Sequence, residues 1–377
     1  MINNIQNLVF LFIISILLLA CTNSTYDDIV EPKTGLKLKW NKAYEEDSLE
    51  KSILGLQWVF SYLGAILPYQ HTGITTQNNV IEINLEQLGF TNTAQQKLNS
   101  IHEVIMTSEE YHITNAIDLG RYVSLLLGAP EHYYEITGVP FLLSDLLDDY
   151  DINSERGYVN QSGVSFEHRI IGFSEQNGFN QVFFCSEIDP ETSEILEYET
   201  VELMQNGQPR FGIYDREGFR INNTNPLHSN GGKPAKCMWC HESKIQPLFS
   251  EQGNFDGFIP YLEFKDLLTD YKTSHQSLQN SLFDGVRFEE TQQHTLTELL
   301  YITFMEPSAN RLSLEWGMSL AEVENLLSEI PTHTHEEFVY LGNLYHRFTI
   351  ESYAPFSGLQ VSSDVREESE TEVNYIN

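Results

Sequence analysis

Cys237-Met238-Trp239-Cys240-His241, within NGGKPAKCMWCHESKIQPLF, is the stretch on which the reading of this chain turns. Two thiols stand three residues apart and an imidazole follows the second directly. On a helical turn, that spacing sets Cys237, Cys240 and His241 on one face. Three chemistries use such a face. Both thiols can form thioethers with the vinyl groups of one porphyrin while the imidazole reaches its iron. A Cys₂His₂ zinc site needs a fourth ligand, and His228 is the nearest. A redox dithiol wants a preceding strand in a βαβ setting, and neither is evident. A structural disulfide across so few residues is strained.

The C-x-x-C-H run is the attachment signature of c-type haem, and here the chain resembles the c-type cytochromes. The resemblance covers these five residues and the helical setting of roughly a hundred more. It implies one covalent haem c, held through Cys237 and Cys240, with His241 as the proximal iron ligand. It further implies a backbone carbonyl near Pro247 that accepts from the other ring nitrogen of His241. Trp239, Ile245, Leu248 and Phe249 are candidates for an apolar haem wall. In this family, lysines near the haem edge guide acidic partners, a role open to Lys233, Lys236 and Lys244. Read alone, these are three solvated lysines on a short helix. For the sixth iron position, Met305 lies at a helix end sixty-four residues after His241, as in small soluble cytochromes c. Met318, His275 and His294 are alternatives, and an open position is another.

The amino terminus points to the same compartment. Leu8–Ala20, LVFLFIISILLLA, is too short for a comfortable span and fits a secretory h-region. Leu18-Leu19-Ala20-Cys21 resembles the lipobox of bacterial lipoproteins, which implies cleavage after residue 20 and a lipid on Cys21. The first seven residues hold no Lys or Arg, a departure from the usual signal peptide. The expectation is a lipid-anchored protein of the bacterial cell envelope, periplasmic or outer-membrane facing. Haem attachment to C-x-x-C-H occurs on that side of the membrane.

Twenty-one basic against 54 acidic residues give a net charge of -33, and the first twenty residues contribute none of it. Such a surface repels nucleic acid, so a nucleic-acid partner is excluded; other envelope redox proteins are the expected partners. The remaining cysteine, Cys185, sits in an apolar run and reads as a buried lone thiol.

Composition along the chain divides it. Residues 21–44 read as a polar tether. Residues 45–155 read as mostly helical: a helix capped by Ser48 and ended by Pro68, a strand at 80–85, a helix capped by Thr91 or Thr93, and helices at 113–127 and 141–147. Asp148, Asp149, Asp151, Asn153 and Glu155 mimic part of a calcium loop, but Ser154 stands where glycine is needed, so a solvated acidic turn is the better reading. Residues 156–222 alternate β-branched and aromatic residues between Gly-rich turns and predict a small antiparallel sheet or sandwich, with His168 on a strand face. Residues 223–360 read as an all-α cytochrome c-like haem domain, with helices over 261–283, 288–305, 319–330 and from Thr334 to Phe348. Residues 361–377 read as a frayed acidic tail. His333 and His335 form a weak candidate metal pair.

The fold class expected is therefore α+β in several domains. The function expected is covalent haem binding and electron transfer by a monohaem c-type cytochrome. A haem enzyme or gas binder with an open iron site is the first alternative; a non-redox envelope binding lipoprotein is the second. No catalytic residue stands out.

Overall fold

The structure is a computed structural model and describes residues 35–376. The expected signal segment 1–20, Cys21 and residues 21–34 of the expected tether lie outside the described residues. Leu36–Asn377 form one compact unit of mixed α+β architecture.

The last part of the expected tether is a strand. In β1 (Leu36–Lys39) the two leucines alternate inward and are buried while the lysines face outward, the period-2 pattern of a half-buried strand. Helix α1 (Leu49–Tyr62) is capped by Ser48, which accepts from the Lys51 amide. It stops at Tyr62, short of Pro68, because Gly64 turns the chain at φ +92°. Strands β2 (Ile74–Gln77) and β3 (Val80–Ile83) form a hairpin. Helix α2 (Asn92–Met106) starts at its Thr91 cap. The helix expected over 113–127 is broken into α3 (Glu109–Thr114), a two-residue strand β4 (Ile117–Asp118) and α4 (Leu119–Leu127). Asn115 takes a left-handed conformation at φ 54° and ends α3, freeing Ile117 and Asp118 to pair with β1. The resulting mixed sheet has the order β2-β3-β1-β4. Of these four short strands only β3 lies within a stretch expected as a strand, residues 80–85. Helices α5 (Pro130–Thr137) and α6 (Leu143–Leu147) complete this half.

The antiparallel unit is an uncrossed meander: β5 (Gly157–Val159), β6 (His168–Phe173), β7 (Val182–Ile188), β8 (Ile195–Leu203) and β9 (Pro209–Asp215), each paired with the next. Then come α7 (Pro234–His241), α8 (Tyr261–Ser281), α9 (His294–Met305), α10 (Ala309–Trp316), α11 (Leu320–Leu326) and α12 (Arg347–Ile350). The capping box of Ser319 with Glu322 is present at α11. The helix expected from Thr334 to Phe348 is replaced by a 3₁₀ turn at Val339–Leu341 and the start of α12. His333 pairs with Leu344 as an antiparallel bridge, and Gly342 at φ 79° turns the chain between them. The tail is not frayed either. Val361, Val365 and Ile376 are buried, and the Tyr375 amide donates to His132 Nε2 at 2.8 Å. Among the described residues, no helix is long and apolar enough to cross a membrane.

One hydrophobic core runs through Leu38, Phe60, Tyr122, Phe211, Met238, Leu300 and Ile376, joining segments from both ends of the chain. Helix α9 lies at its centre. Two glycines let neighbours approach it closely. A Cβ on Gly55 of α1 would stand 2.8 Å from the Leu296 carbonyl oxygen, and one on Gly120 of α4 would stand 2.4 Å from Phe304 Cβ.

At the end of α9, three buried guanidiniums surround the Phe304 ring: Arg347 at 4.0 Å, Arg121 at 4.9 Å and Arg311 at 5.6 Å from its centre. Arg121 pairs with Glu110 at 2.7 Å and Glu351 at 2.6 Å; Arg311 pairs with Asp118 at 2.7 Å and with Glu315; Arg347 pairs with Glu315 at 2.7 Å. Although burial opposes its charge, the Arg347 and Arg311 guanidiniums hold the Glu315 carboxyl down at about 2. Removing one partner strands a buried charge. Arg347→Met should therefore cost about 3–5 kcal/mol, read as a lower urea midpoint at unchanged slope; a loss under 1 kcal/mol would refute this role.

Candidate functional site

Helix α7 opens with Pro234 at its first position, where the missing amide costs nothing. Its residues divide by face. Ala235 and Met238 point into the core, while Cys237, Cys240 and His241 line a cleft with about 950 Å³ of empty space. The opposite wall is the sheet, through Val159, Ile171, Phe183 and Val201. Ile245, Leu248 and Phe249, together with Leu268 of α8, close the remaining side. A largely apolar lining of this kind suits an organic cofactor.

A tight turn orients His241. Glu242 and Ser243 are consecutive non-glycine residues in the left-handed region, at φ 45° and 63°. Such backbone costs about 1–3 kcal/mol per residue and persists only where its surroundings hold it. The turn brings the Lys244 carbonyl to 3.2 Å from His241 Nδ1. A carbonyl can only accept, so Nδ1 carries the proton and Nε2 keeps its lone pair. Lys244 stands three residues before Pro247. Burial lowers the pKa of His241 and keeps the ring neutral, the state in which it binds metal.

Buried amides hold the turn. Ser243 Oγ donates to Gln208 Oε1 at 2.5 Å, and Gln279 Nε2 donates to the carbonyls of Ser243 and Gly207, each at 2.8 Å. Gln208 Nε2 donates to Ser61 Oγ at 3.0 Å, and His275 Nε2 donates to the Gly207 carbonyl at 2.9 Å. The β8–β9 hairpin, α8 and α1 thus meet around Ser243, two residues after the C-x-x-C-H run. None of these amides was singled out from the sequence, because buried Gln carries no pattern.

The thiols are free, and burial raises the pKa of both Cys237 and Cys240. Thiols held neutral by burial do not suit a redox dithiol, which depends on the thiolate. Their thioethers would carry no charge into this apolar lining. His228, the possible fourth zinc ligand, instead faces Glu167 at 3.2 Å and is not on the cleft lining. Cys185 does reach the cleft, from the sheet side, with its pKa also raised by burial.

The other expected residues are scattered. Trp239 leaves the cleft and lies beneath the Arg366 guanidinium, 4.4 Å from the ring centre, so it forms no part of the wall. Met305 packs against the main core, and Met318 against the cluster of Leu312, Trp316 and Val323. His275 holds Gly207, as above. His294 Nδ1 bonds Tyr62 Oη at 2.5 Å, and its Nε2 lies 2.9 Å from Glu298. Among the described residues that line the cleft there is no Met, and His241 is the only His. His168 pairs with Tyr158 Oη at 2.7 Å. The Asp148–Glu155 stretch is largely exposed.

The lysines do not form a free basic rim. Lys233 is fully buried, donating to the carbonyls of Gly128 and Asp364 at 3.1 and 2.8 Å and pairing with Glu372 at 2.6 Å. It pins α7 to the tail. Lys236 pairs with Glu367 at 2.5 Å on the cleft margin.

The sequence reading overlooked a charged cluster behind the cleft. Cross-strand register aligns Arg169, Glu187 and Glu197 on one sheet face, with Cys185 and Glu199 in the adjacent row. Arg169 and Glu199 line the cleft. Arg169 Nη2 lies 3.0 Å from Glu199 and 3.5 Å from Glu187. Ser165 donates to Glu187 Oε1, and the Asn225 amide donates to Glu197 Oε2 at 2.9 Å. The second oxygens of Glu187 and Glu197 have no other donor, so one proton between them satisfies both. Burial pushes both carboxyls up, Glu197 to about 8. The signal available in the sequence was one charged residue in each of β6 (Arg169) and β7 (Glu187), with Glu197 and Glu199 at alternate positions of β8.

Comparison of the chain with protein-family models, with curated proteins and with solved structures finds no match in any of the three.

Glu197 has a raised folded pKa, so the folded state holds an extra proton between about pH 4.5 and 8. Stability from this group is complete below its unfolded pKa and declines as pH rises through that window, by at most about 1.4 kcal/mol per unit. Gln keeps an acceptor for Asn225 and a donor for Glu187 without the charge. Glu197→Gln should therefore gain stability over wild type steadily from pH 5 to 8 in denaturant titrations. A pH-independent difference would show that the pair shares no proton.

Proposed function

We propose that this chain is a monohaem c-type cytochrome of the bacterial cell envelope, with haem c bound through Cys237 and Cys240 and His241 as its proximal ligand. One observation carries the reading: both thiols and an imidazole with a free Nε2 face one apolar cleft from a single helix turn. Bound haem would supply a one-electron iron couple and, where its sixth position is open, a place for a small ligand. The residues around it bind, orient and exclude water. Ile171, Phe183, Ile245 and Leu248 offer the dry walls. Lys244 sets the tautomer of His241. Arg169 and Lys236 are the cations available to the porphyrin carboxylates, with Glu199 beside Arg169.

In this reading, residues 223–360 carry the haem as a cytochrome c-like segment, and the antiparallel unit at 156–222 supplies the facing wall. The shared lining of Ile171 and Val201 against Ile245 and Leu248 supports that division. Electron transfer with other envelope redox proteins is the proposed activity. The apolar run before Cys21 supports lipid anchorage on the side where haem is attached.

A second reading, a gas binder or haem enzyme, draws on the absence of Met or a second His from the described cleft lining. A saturated iron suits electron transfer alone; an open one admits ligands.

Expression with a haem-maturation system should give a chain that keeps haem on a denaturing gel. Cys237→Ala with Cys240→Ala should lose it. A colourless wild type would end the proposal. Met305→Leu should leave the optical spectrum unchanged, and carbon monoxide should shift the ferrous spectrum at once. A spectrum altered by Met305→Leu would restore methionine ligation and remove the second reading.

A further inference from the structure

Away from the cleft, three segments distant in sequence converge at the end of α9. Glu306 follows the helix, His333 lies on the loop after α11, and His346 precedes α12. Each offers one ligand atom, and these atoms lie within 4.8 Å of one another. The convergence is set by backbone. The His333 amide donates to the Leu344 carbonyl at 3.0 Å, and the Leu344 amide returns to His333 at 2.9 Å. The Tyr345 amide donates to the Pro307 carbonyl at 3.0 Å. These bonds hold the neighbours of all three side chains.

The side chains within this frame are not fully satisfied by one another. His333 Nε2 lies 2.9 Å from Glu306 Oε2, while its Nδ1 is buried with no hydrogen-bond partner. The His333 and His346 rings stack, with centres 4.0 Å apart and planes 12° apart. Two imidazoles and one carboxylate are a donor set for borderline divalent metals. Glu306 and His333 are partly buried and His346 is exposed, so the site is open to ions from solution.

We propose that Glu306, His333 and His346 form a binding site for one divalent ion of the zinc class, with at least one coordination position left to water. His335, two residues from His333, is not part of it: its Nδ1 accepts from the amides of Glu337 and Phe338 at 3.2 and 3.3 Å. The structure thus replaces the His333–His335 pair suggested by sequence proximity. The proposal is independent of the haem reading.

The test is a Zn²⁺ titration of the full-length protein, followed by calorimetry and by metal analysis after dialysis. Wild type should take up one ion at this site and melt at a higher temperature with Zn²⁺ present. His346→Ala, on an exposed side chain, should fold normally, weaken that binding by at least about tenfold and lose the thermal shift. Glu306→Gln keeps a hydrogen-bond partner for His333 but should weaken the ion similarly. His335→Ala should bind as wild type does. Absence of binding in wild type, or unchanged affinity in His346→Ala, would overturn the proposal.

Discussion

The hydrogen bond between His241 Nδ1 and the Lys244 carbonyl is the constraint around which the site is built. It leaves Nε2 with its lone pair and aims the ring at the cleft. The bond needs two left-handed residues in a row, a conformation that neither Glu242 nor Ser243 favours. What holds them there is a buried set of amides from three elements, centred on Gln208 and Gln279. Burial makes these hydrogen bonds costly to lose and therefore effective at specifying one backbone path. The long helix α8, the β8–β9 hairpin and α1 all serve this one turn.

The two walls of the cleft differ in kind. The helix wall carries the thiols and the imidazole. The sheet wall is apolar across Ile171, Phe183 and Val201 and ends in Arg169 and Glu199. Behind these stand Glu187 and Glu197, so three carboxylates face one guanidinium. Burial raises the pKa of both Glu187 and Glu197, and a proton held between them would reduce the uncompensated charge. In the proposed reading, Arg169 and Glu199 share the cleft lining with His241, and no methionine is among the described lining residues.

The ion cluster around Phe304 plays a different part. It lies where α9, α10 and α12 meet, away from the cleft lining, and sets three guanidiniums against four carboxylates. Buried pairs of this kind add little to stability against an apolar alternative. They do penalise any packing that separates the partners. The chain carries a large negative charge, yet it spends three of its few arginines here.

Local chemistry was legible from the residues themselves. The one-face arrangement of Cys237, Cys240 and His241 follows from helical spacing, the Ser48 and Thr91 caps from side-chain chemistry, and the antiparallel unit from alternation between turns. These depend on neighbours within a few residues. Other features depended on contacts between distant segments. Residues 36–39 became a strand because β3 and Ile117–Asp118 lie beside them. Lys233 left solvent because the tail supplies Glu372. Met305 stood at a plausible distance along the chain, but distance along the chain does not say which wall a side chain joins. Tertiary packing placed it in the core, put Arg169 and Glu199 on the cleft, and matched His333 with His346 rather than His335. The sequence by itself determined which groups can bond to haem or metal. Only the folded chain decided which of them share a cavity, because burial and backbone register are properties of the whole chain and not of any short stretch.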